Sequence, residues 1–196
     1  MSVIKPIKRR VAILISGRGS NMVALANAAL DPDYPAEIAI VISNRPNAAG
    51  LDKAREMGIE AVALDHKDYQ SRESFENDLH EALIDADIEL VCCAGFMRVL
   101  TPFFTRLWPG RLMNIHPSLL PKYKGLHTHK RALDAGDKTH GCTVHYVNEE
   151  LDGGAVIKQA SIDIHDGDTA ETLATRLIPI EHELYVKSLR HVCETI

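Results

Sequence analysis

Cysteine is scarce in this 196-residue chain, and its spacing matches neither a disulfide framework nor a zinc site. Of the four cysteines, Cys92 and Cys93 are adjacent, whereas Cys142 and Cys193 stand alone, and no Cys-x-x-Cys is present. This pattern favours buried, reduced thiols, which are typical of a cytoplasmic protein. We therefore expect a cytoplasmic chain that is not stabilised by disulfides.

Long hydrophobic runs and a strong excess of one charge are also missing. The apolar run after Arg9 and Arg10 stops at Ser16, which is too short for a signal-peptide core or a membrane span. The 22 Lys and Arg residues against 27 Asp and Glu residues give a formal net charge of −5. Such a chain has no general attraction for nucleic acid or for anionic membranes. We expect neither as a partner, and a phosphorylated ligand would need a local positive site.

Apolar runs alternate with helical patterns through the first half of the chain. The patterns predict strands at residues 10–16, 37–43, 60–64 and 88–93, and helices at residues 21–30, 48–57 and 71–86. Near-continuous apolar strands separated by helices indicate a mostly parallel, Rossmann-like sheet with helices on both faces. A chain of this length supports one core, so we expect a single α/β domain over residues 1–196, with residues 1–9 as a flexible tail.

The second half of the chain has a different character. Its patterns predict a short strand at 112–115, a loop rich in Pro, Gly and His at 117–129, a short helix at 129–135, and strands at 142–147 and 155–164. The last two strands alternate in polarity and should form an antiparallel addition to the sheet. A final helix is predicted from Thr169 to about Val192, and Pro179 inside it should kink or divide it.

A glycine-containing loop, Ser-Gly-Arg-Gly-Ser-Asn at residues 16–21, joins the first strand to the first helix. Glycines permit a tight turn, and the amides of a helix start attract an anion. Met22 replaces the third small residue of a dinucleotide fingerprint, Ser43-Asn44 replaces its acidic residue, and no Walker Gly-Lys-Ser/Thr is present. The loop therefore predicts a site for a lone phosphate monoester, with an ordinary strand-to-helix turn as the alternative.

Asn114 and His116 lie at the carboxyl end of a predicted strand, where ligands bind in open α/β sheets. Positions i and i+2 of a strand face the same way, so the two side chains should point into one site. An amide can hold a developing oxyanion and an imidazole can move a proton, which suits acyl transfer. Taken alone, the pair is more typical of a structural histidine, and Asp152 before Gly153 and Gly154 is typical of a turn.

The segment Asn-Ile-His-Pro-Ser-Leu-Leu-Pro at residues 114–121 resembles the signature of the folate-dependent formyltransferase family. Residues 16–21, 94–100, 122–129 and 150–154 resemble the members that act on phosphoribosylglycinamide, and the similarity runs from about Val11 to Tyr185. The resemblance implies a formyltransferase fold and an enzyme of purine biosynthesis. It would transfer the formyl group of its cosubstrate, 10-formyltetrahydrofolate, to the amine of 5-phosphoribosylglycinamide.

The resemblance also implies roles for particular residues. Asn114 and a protonated His116 would stabilise the tetrahedral intermediate, while Asp152 would favour the charged form of His116 and relay protons through water. The phosphoribosylglycinamide site would use Gly19, Ser20 and Asn21 for the phosphate and Glu181 for the ribose. The folate site would use Arg72, Met97, Arg98, Val99, Leu100, Asn114, Asn148, Glu149, Glu150, Leu151 and Asp152. Several relatives have a glutamine where this chain has Ile178, so a ribose contact at that position would be lost or made by the main chain.

Alternatives remain open at this point. A formyltetrahydrofolate deformylase would use the same residues for hydrolysis, and a non-catalytic Rossmann-like nucleotide-binding module would explain the glycine loop alone. The histidines outside the 114–121 segment lack a His-Glu-x-x-His or comparable ligand pattern, so we expect no metal. We expect a monomer or a homodimer with small-molecule substrates.

Overall fold

The computed structural model describes residues 8–196, which form one seven-stranded sheet and six α-helices. The strands are β1 (Arg9–Ile15), β2 (Ala36–Ser43), β3 (Glu60–Ala63), β4 (Leu90–Cys93), β5 (Leu112–His116), β6 (Thr139–Tyr146) and β7 (Val156–Asp163). The helices are α1 (Ser20–Ala29), α2 (Ala49–Glu56), α3 (Arg72–Asp85), α4 (Pro102–Leu107), α5 (Thr128–Asp134) and α6 (Ala170–Thr195).

The strand order is β3-β2-β1-β4-β5-β6-β7. Strands β1 to β5 pair in parallel, whereas β6 is antiparallel to β5 and β7 is antiparallel to β6. The predicted α/β fold with antiparallel strands near its carboxyl end is therefore confirmed.

The continuous apolar run of β1 is explained by helices on both faces of the sheet. Val11 and Ile13 pack with residues of α1 and α6, including Leu25 and Leu189. Ala12 and Leu14 point to the other face and pack with residues of α3 and α4, including Phe75 and Phe104. Because side chains of a strand alternate between faces, a strand covered on both sides must be apolar at every position.

Three details differ from the sequence-based expectations. Helix α4, which starts with Pro102 at its first turn, was not predicted because six residues are too few to show a helical period. The predicted division at Pro179 is absent, since α6 continues through it and buried Leu177 and Leu184 hold both halves against the same core. Arg9 belongs to β1 rather than to the predicted tail, whose residues 1–7 lie outside the described residues.

The sheet brings three loops to one edge. The chain leaves β1 to build β2 and β3 on one side, and returns to the other side of β1 to build β4 and β5. At such a reversal the loops after neighbouring strands diverge and leave a crevice beyond the carboxyl ends of the strands. The glycine loop after β1, the segment after β4 and the end of β5 therefore lie around one crevice.

A buried tyrosine hydroxyl links α6 to the middle of this sheet. The Tyr185 hydroxyl donates to the Cys93 carbonyl at 3.0 Å and approaches the Met113 carbonyl at 3.3 Å. Tyr185→Phe should lower the free energy of unfolding in urea by about 1–2 kcal/mol, because both carbonyls lose a buried donor. Tyr146→Phe is the control, since the Tyr146 hydroxyl has no hydrogen-bond partner among residues 8–196. Equal effects of the two changes would contradict this role.

Candidate active site

The glycine loop is shaped by a close approach to helix α2. Gly19 has a φ of 68° at the start of α1, and a Cβ there would lie 3.1 Å from the Cα of Gly50. Gly50 itself donates its N–H to the Gly17 carbonyl at 3.0 Å, and a Cβ on Gly50 would lie only 2.5 Å from Ile15. Gly50 thus allows the glycine loop and α2 to pack closely. In a dinucleotide fingerprint the third small residue serves close packing, but here that position is Met22, which is buried in the core.

The start of α1 leaves its first amides available for an anion. No side chain among the described residues caps this helix start, and Ser20 is exposed on its first turn. Asn21 follows and donates from Nδ2 to the Glu181 carboxylate of α6 at 3.1 Å. Burial raises the pKa of Glu181, and the hydrogen bond from Asn21 partly opposes that shift. The structure therefore brings the four predicted phosphoribosylglycinamide residues to one place.

Asn114 is held by a histidine that the sequence patterns did not single out. Strand β6 pairs antiparallel with β5, which sets His145 opposite Asn114. The Asn114 Nδ2 lies 3.3 Å from the His145 Nε2, and the His145 Nδ1 lies 2.8 Å from the Tyr146 carbonyl. Because a carbonyl only accepts, the Nδ1 carries the hydrogen and the Nε2 is free to accept from Asn114. Burial lowers the pKa of His145, which is consistent with this neutral form.

His116 is surrounded by acceptors. Its Nε2 lies 2.9 Å from the Tyr123 carbonyl, and its Nδ1 lies 3.5 Å from Oδ2 of Asp152. A ring with an acceptor beside each nitrogen suits the cation, in which both nitrogens carry a hydrogen. The separation from Asp152 is looser than a direct hydrogen bond, as is common at catalytic sites before substrate binds.

Asp152 occupies a tight turn that requires a glycine at residue 154. Its backbone has a φ of 49°, and its Oδ2 accepts the Gly125 N–H at 2.8 Å. Two residues later, a Cβ on Gly154 would lie 1.8 Å from the Tyr146 carbonyl oxygen, so the turn can fold back over β6 only with glycine there. The side chain of Asp152 is 9% exposed, and its Oδ1 lies 3.7 Å from the His145 Nε2. The predicted trio of Asn114, His116 and Asp152 is therefore one cluster.

Outside this cluster the predicted folate residues lie on three segments: the start of α3, residues 97–100 after β4, and the turn at residues 148–152. Arg72 starts α3, and the Arg98 guanidinium lies 5.1 Å from the ring centre of Phe75 one turn along the same helix. Met97 and Val99 are exposed, whereas Leu100 is buried. Two guanidinium groups near one helix start would favour an anionic ligand.

In the turn at residues 148–152 the two acidic side chains form exposed ion pairs. Glu149 pairs with Arg106 at 2.6 Å, and Glu150 pairs with Lys124 at 2.6 Å. The Asn148 side chain accepts the Glu150 N–H at 3.0 Å, and Leu151 is exposed. A ligand that leaves these ion pairs intact would meet the backbone of Glu149 and Glu150.

The part of the chain that the structure describes holds neither a metal-binding cluster nor a helix suited to cross a membrane. Residues 8–196 contain no group of three or more His, Cys, Asp or Glu side chains arranged to hold a metal ion. None of the helices found there combines the length and the apolar character that a bilayer crossing needs. The four cysteines are buried and free.

Comparison with known proteins shows the family to which this chain belongs. The profile of the family described as formyl transferase matches residues 9–189. The chain belongs to this family. A solved phosphoribosylglycinamide formyltransferase of Brucella melitensis superposes with a TM-score of 0.92, at 48% identity, over 95% of this chain and 96% of that one.

Curated relatives of this formyltransferase fall into two kinds. The phosphoribosylglycinamide formyltransferase of Haemophilus influenzae is 41% identical over 90% of this chain and 84% of its own length. The trifunctional purine biosynthetic protein adenosine-3 of Bos taurus is 46% identical over 96% of this chain. The chain spans 19% of the length of that bovine relative, so the match covers one part of a longer protein.

A histidine pair beside the cluster, with His140 buried and His129 half-buried, should make the formyltransferase acid-sensitive. The His140 Nε2 lies 3.0 Å from the His129 Nδ1. Burial, reinforced by the neighbouring His129, lowers the pKa of His140 to about 4, and burial also lowers that of His129. Because the folded state resists protonation, the stability is fully present above the ordinary histidine pKa of about 6.5 and falls as the pH drops from there toward 4.

We predict that His140→Asn flattens this dependence. The free energy of unfolding of the wild type should fall between pH 7 and pH 4 by roughly 1 kcal/mol more than that of the variant, after allowance for solvent screening. Urea titrations at several pH values measure the difference. Parallel pH profiles for the two proteins would contradict the assignment.

Proposed function

We propose that this chain transfers the formyl group of 10-formyltetrahydrofolate to the amine of 5-phosphoribosylglycinamide, giving the N-formyl product and tetrahydrofolate in purine biosynthesis. The observation that carries the proposal is the cluster of Asn114, His116 and Asp152, which shares one crevice with an anion-accepting helix start. The proposal is supported by solved phosphoribosylglycinamide formyltransferases, which superpose on nearly the whole chain.

In the proposed reaction the substrate supplies its own nucleophile. The amine nitrogen attacks the formyl carbon, and negative charge develops on the formyl oxygen. Asn114 can donate its second Nδ2 hydrogen to that oxygen, because the first is directed to His145. His116 as a cation adds a second donor through its Nδ1 hydrogen, because Nδ1 lies 3.5 Å from Asp152, whereas Nε2 is directed at the Tyr123 carbonyl. The bond from the formyl carbon to N10 of the folate then breaks, the amine loses one proton and N10 gains one.

Asp152 completes the proton chemistry in this proposal. Its carboxylate lies next to His116 and can accept the proton that the amine loses, through a bridging water. The phosphate of the ribonucleotide would sit at the start of α1, with Gly19, Ser20 and Asn21 around it and Glu181 near the ribose. Ile178, one turn before Glu181, has no polar group to offer a ribose, so this side would rely on Glu181.

We also propose one catalytic domain over residues 1–196, located in the cytoplasm and acting as a monomer or homodimer. The four free, buried thiols are consistent with a reducing compartment. The net charge of −5 supports small-molecule substrates rather than nucleic acid or a membrane surface.

The dependence of turnover on the amine tests this function. Deformylation of a 10-formyl folate, followed by absorbance, should proceed only when phosphoribosylglycinamide is present and should release one N-formyl product per folate. Steady turnover without the amine would favour the deformylase, and nucleotide binding without turnover would favour a non-catalytic module. As a control, His116→Ala should lose on the order of a hundredfold in kcat, because the proton donor is gone.

A further inference from the structure

The segment at residues 97–101 has little regular structure of its own to hold its shape. It follows β4 as an irregular loop and ends where α4 begins. Two of its apolar side chains are turned outward, with Met97 58% exposed and Val99 52% exposed, whereas Leu100 is buried. Apart from Leu100 the segment gains little from packing, so hydrogen bonds from other elements are needed to fix its irregular backbone.

The first end of the segment is fixed by a buried serine. Ser16 is 3% exposed at the end of β1, and its Oγ accepts the Met97 N–H at 2.8 Å. The same hydroxyl is hydrogen-bonded to the side chain of buried Asn44, which follows β2. Since Asn44 orients the hydroxyl, a lone pair of Ser16 is directed at the Met97 amide.

The other end is fixed by a buried glutamate. Glu76 of α3 is 2% exposed, and its Oε1 accepts the Thr101 N–H at 2.8 Å. Its Oε2 accepts a hydrogen bond from the Thr101 hydroxyl. A buried carboxyl group is costly unless it is hydrogen-bonded, and here both oxygens are committed to one residue of the segment.

Thr101 is used in an unusual way. It is the N-cap residue of α4, where a threonine hydroxyl commonly accepts an amide of its own helix. Here no side-chain cap bond is formed, and the hydroxyl donates to Glu76 instead. The Thr101 hydroxyl therefore binds Glu76 of α3 instead of capping its own helix, α4.

We propose that Ser16 and Glu76 are positioning residues for the folate: they bind the backbone at the two ends of the 97–101 segment and hold Met97 to Leu100 in the shape that receives it. The inference rests on the proposed formyl transfer from 10-formyltetrahydrofolate. Neither residue needs to touch the ligand, because both act on the backbone of the segment. The Arg98 guanidinium over Phe75, the neighbour of Glu76, directs the middle of the segment toward the same helix.

The test is a comparison of the Michaelis constants for the two substrates in Glu76→Ala. The KM for 10-formyltetrahydrofolate should rise roughly tenfold, since the loss of a hydrogen-bonded anchor has about that effect on an equilibrium constant. The KM for phosphoribosylglycinamide should stay within about twofold, since its site lies at α1 and α6. Glu81→Ala is the matched control, because Glu81 is an exposed glutamate on the same helix.

A conservative variant separates anchoring from general damage to the fold. Glu76→Gln keeps an oxygen for the Thr101 N–H and offers an amide N–H to the Thr101 hydroxyl, which can accept. It should restore the folate KM to within about threefold of the wild type. Unchanged folate KM in a folded Glu76→Ala, or equal increases for both substrates, would overturn the proposal.

Two further measurements keep the outcome decisive. If Glu76→Ala does not fold, Thr101→Val removes only the hydroxyl donor and should raise the folate KM selectively, whereas Thr101→Ser should not. Equal folate KM values for these two variants would also overturn the proposal. Failure of the wild type to transfer formyl from 10-formyltetrahydrofolate would count against the proposed function itself, so the two failures are distinguishable.

Discussion

The candidate site depends on one carboxylate, that of Asp152. It accepts the Gly125 N–H at 2.8 Å, lies 3.5 Å from His116 and lies 3.7 Å from His145. It therefore joins the end of β5, the strand β6, and the loops that follow each of them. Because the group is nearly buried, its negative charge acts through a medium that screens it less than water does. The surroundings of His116 follow from this arrangement, whereas Asn114 is oriented by the Nε2 of His145, which accepts its amide hydrogen.

The sheet supplies the second constraint. The reversal of strand order at β1 opens the crevice, and each of the two proposed substrates is predicted to bind on one side of it. On the phosphate side, Gly19 and Gly50 let the loop approach α2 closely. On the folate side, the loop after β4 is held by the side chains of Ser16 and Glu76. Ser16 is also the first residue of the glycine loop, so this one residue belongs to both the phosphate side and the folate side.

Much of the fold, and the shared face of Asn114 and His116, could be predicted from local sequence patterns. The period of a strand was enough to place Asn114 and His116 on one face, and the apolar runs were enough to give the parallel sheet. His145 could not be found this way, because its position opposite Asn114 depends on the antiparallel register of β5 and β6. Glu76 was missed for a similar reason: a glutamate on a helix is usually solvated, and only the tertiary fold buries it.

The rate of formyl transfer by Asp152→Asn, measured beside its free energy of unfolding, tests the central claim most directly. Asparagine tolerates the left-handed backbone of residue 152 and can still accept the Gly125 N–H, so only the charge is removed. The account predicts a fall in kcat of roughly a hundredfold, with stability changed by no more than about 1 kcal/mol. A stable variant with a kcat close to that of the wild type would contradict it.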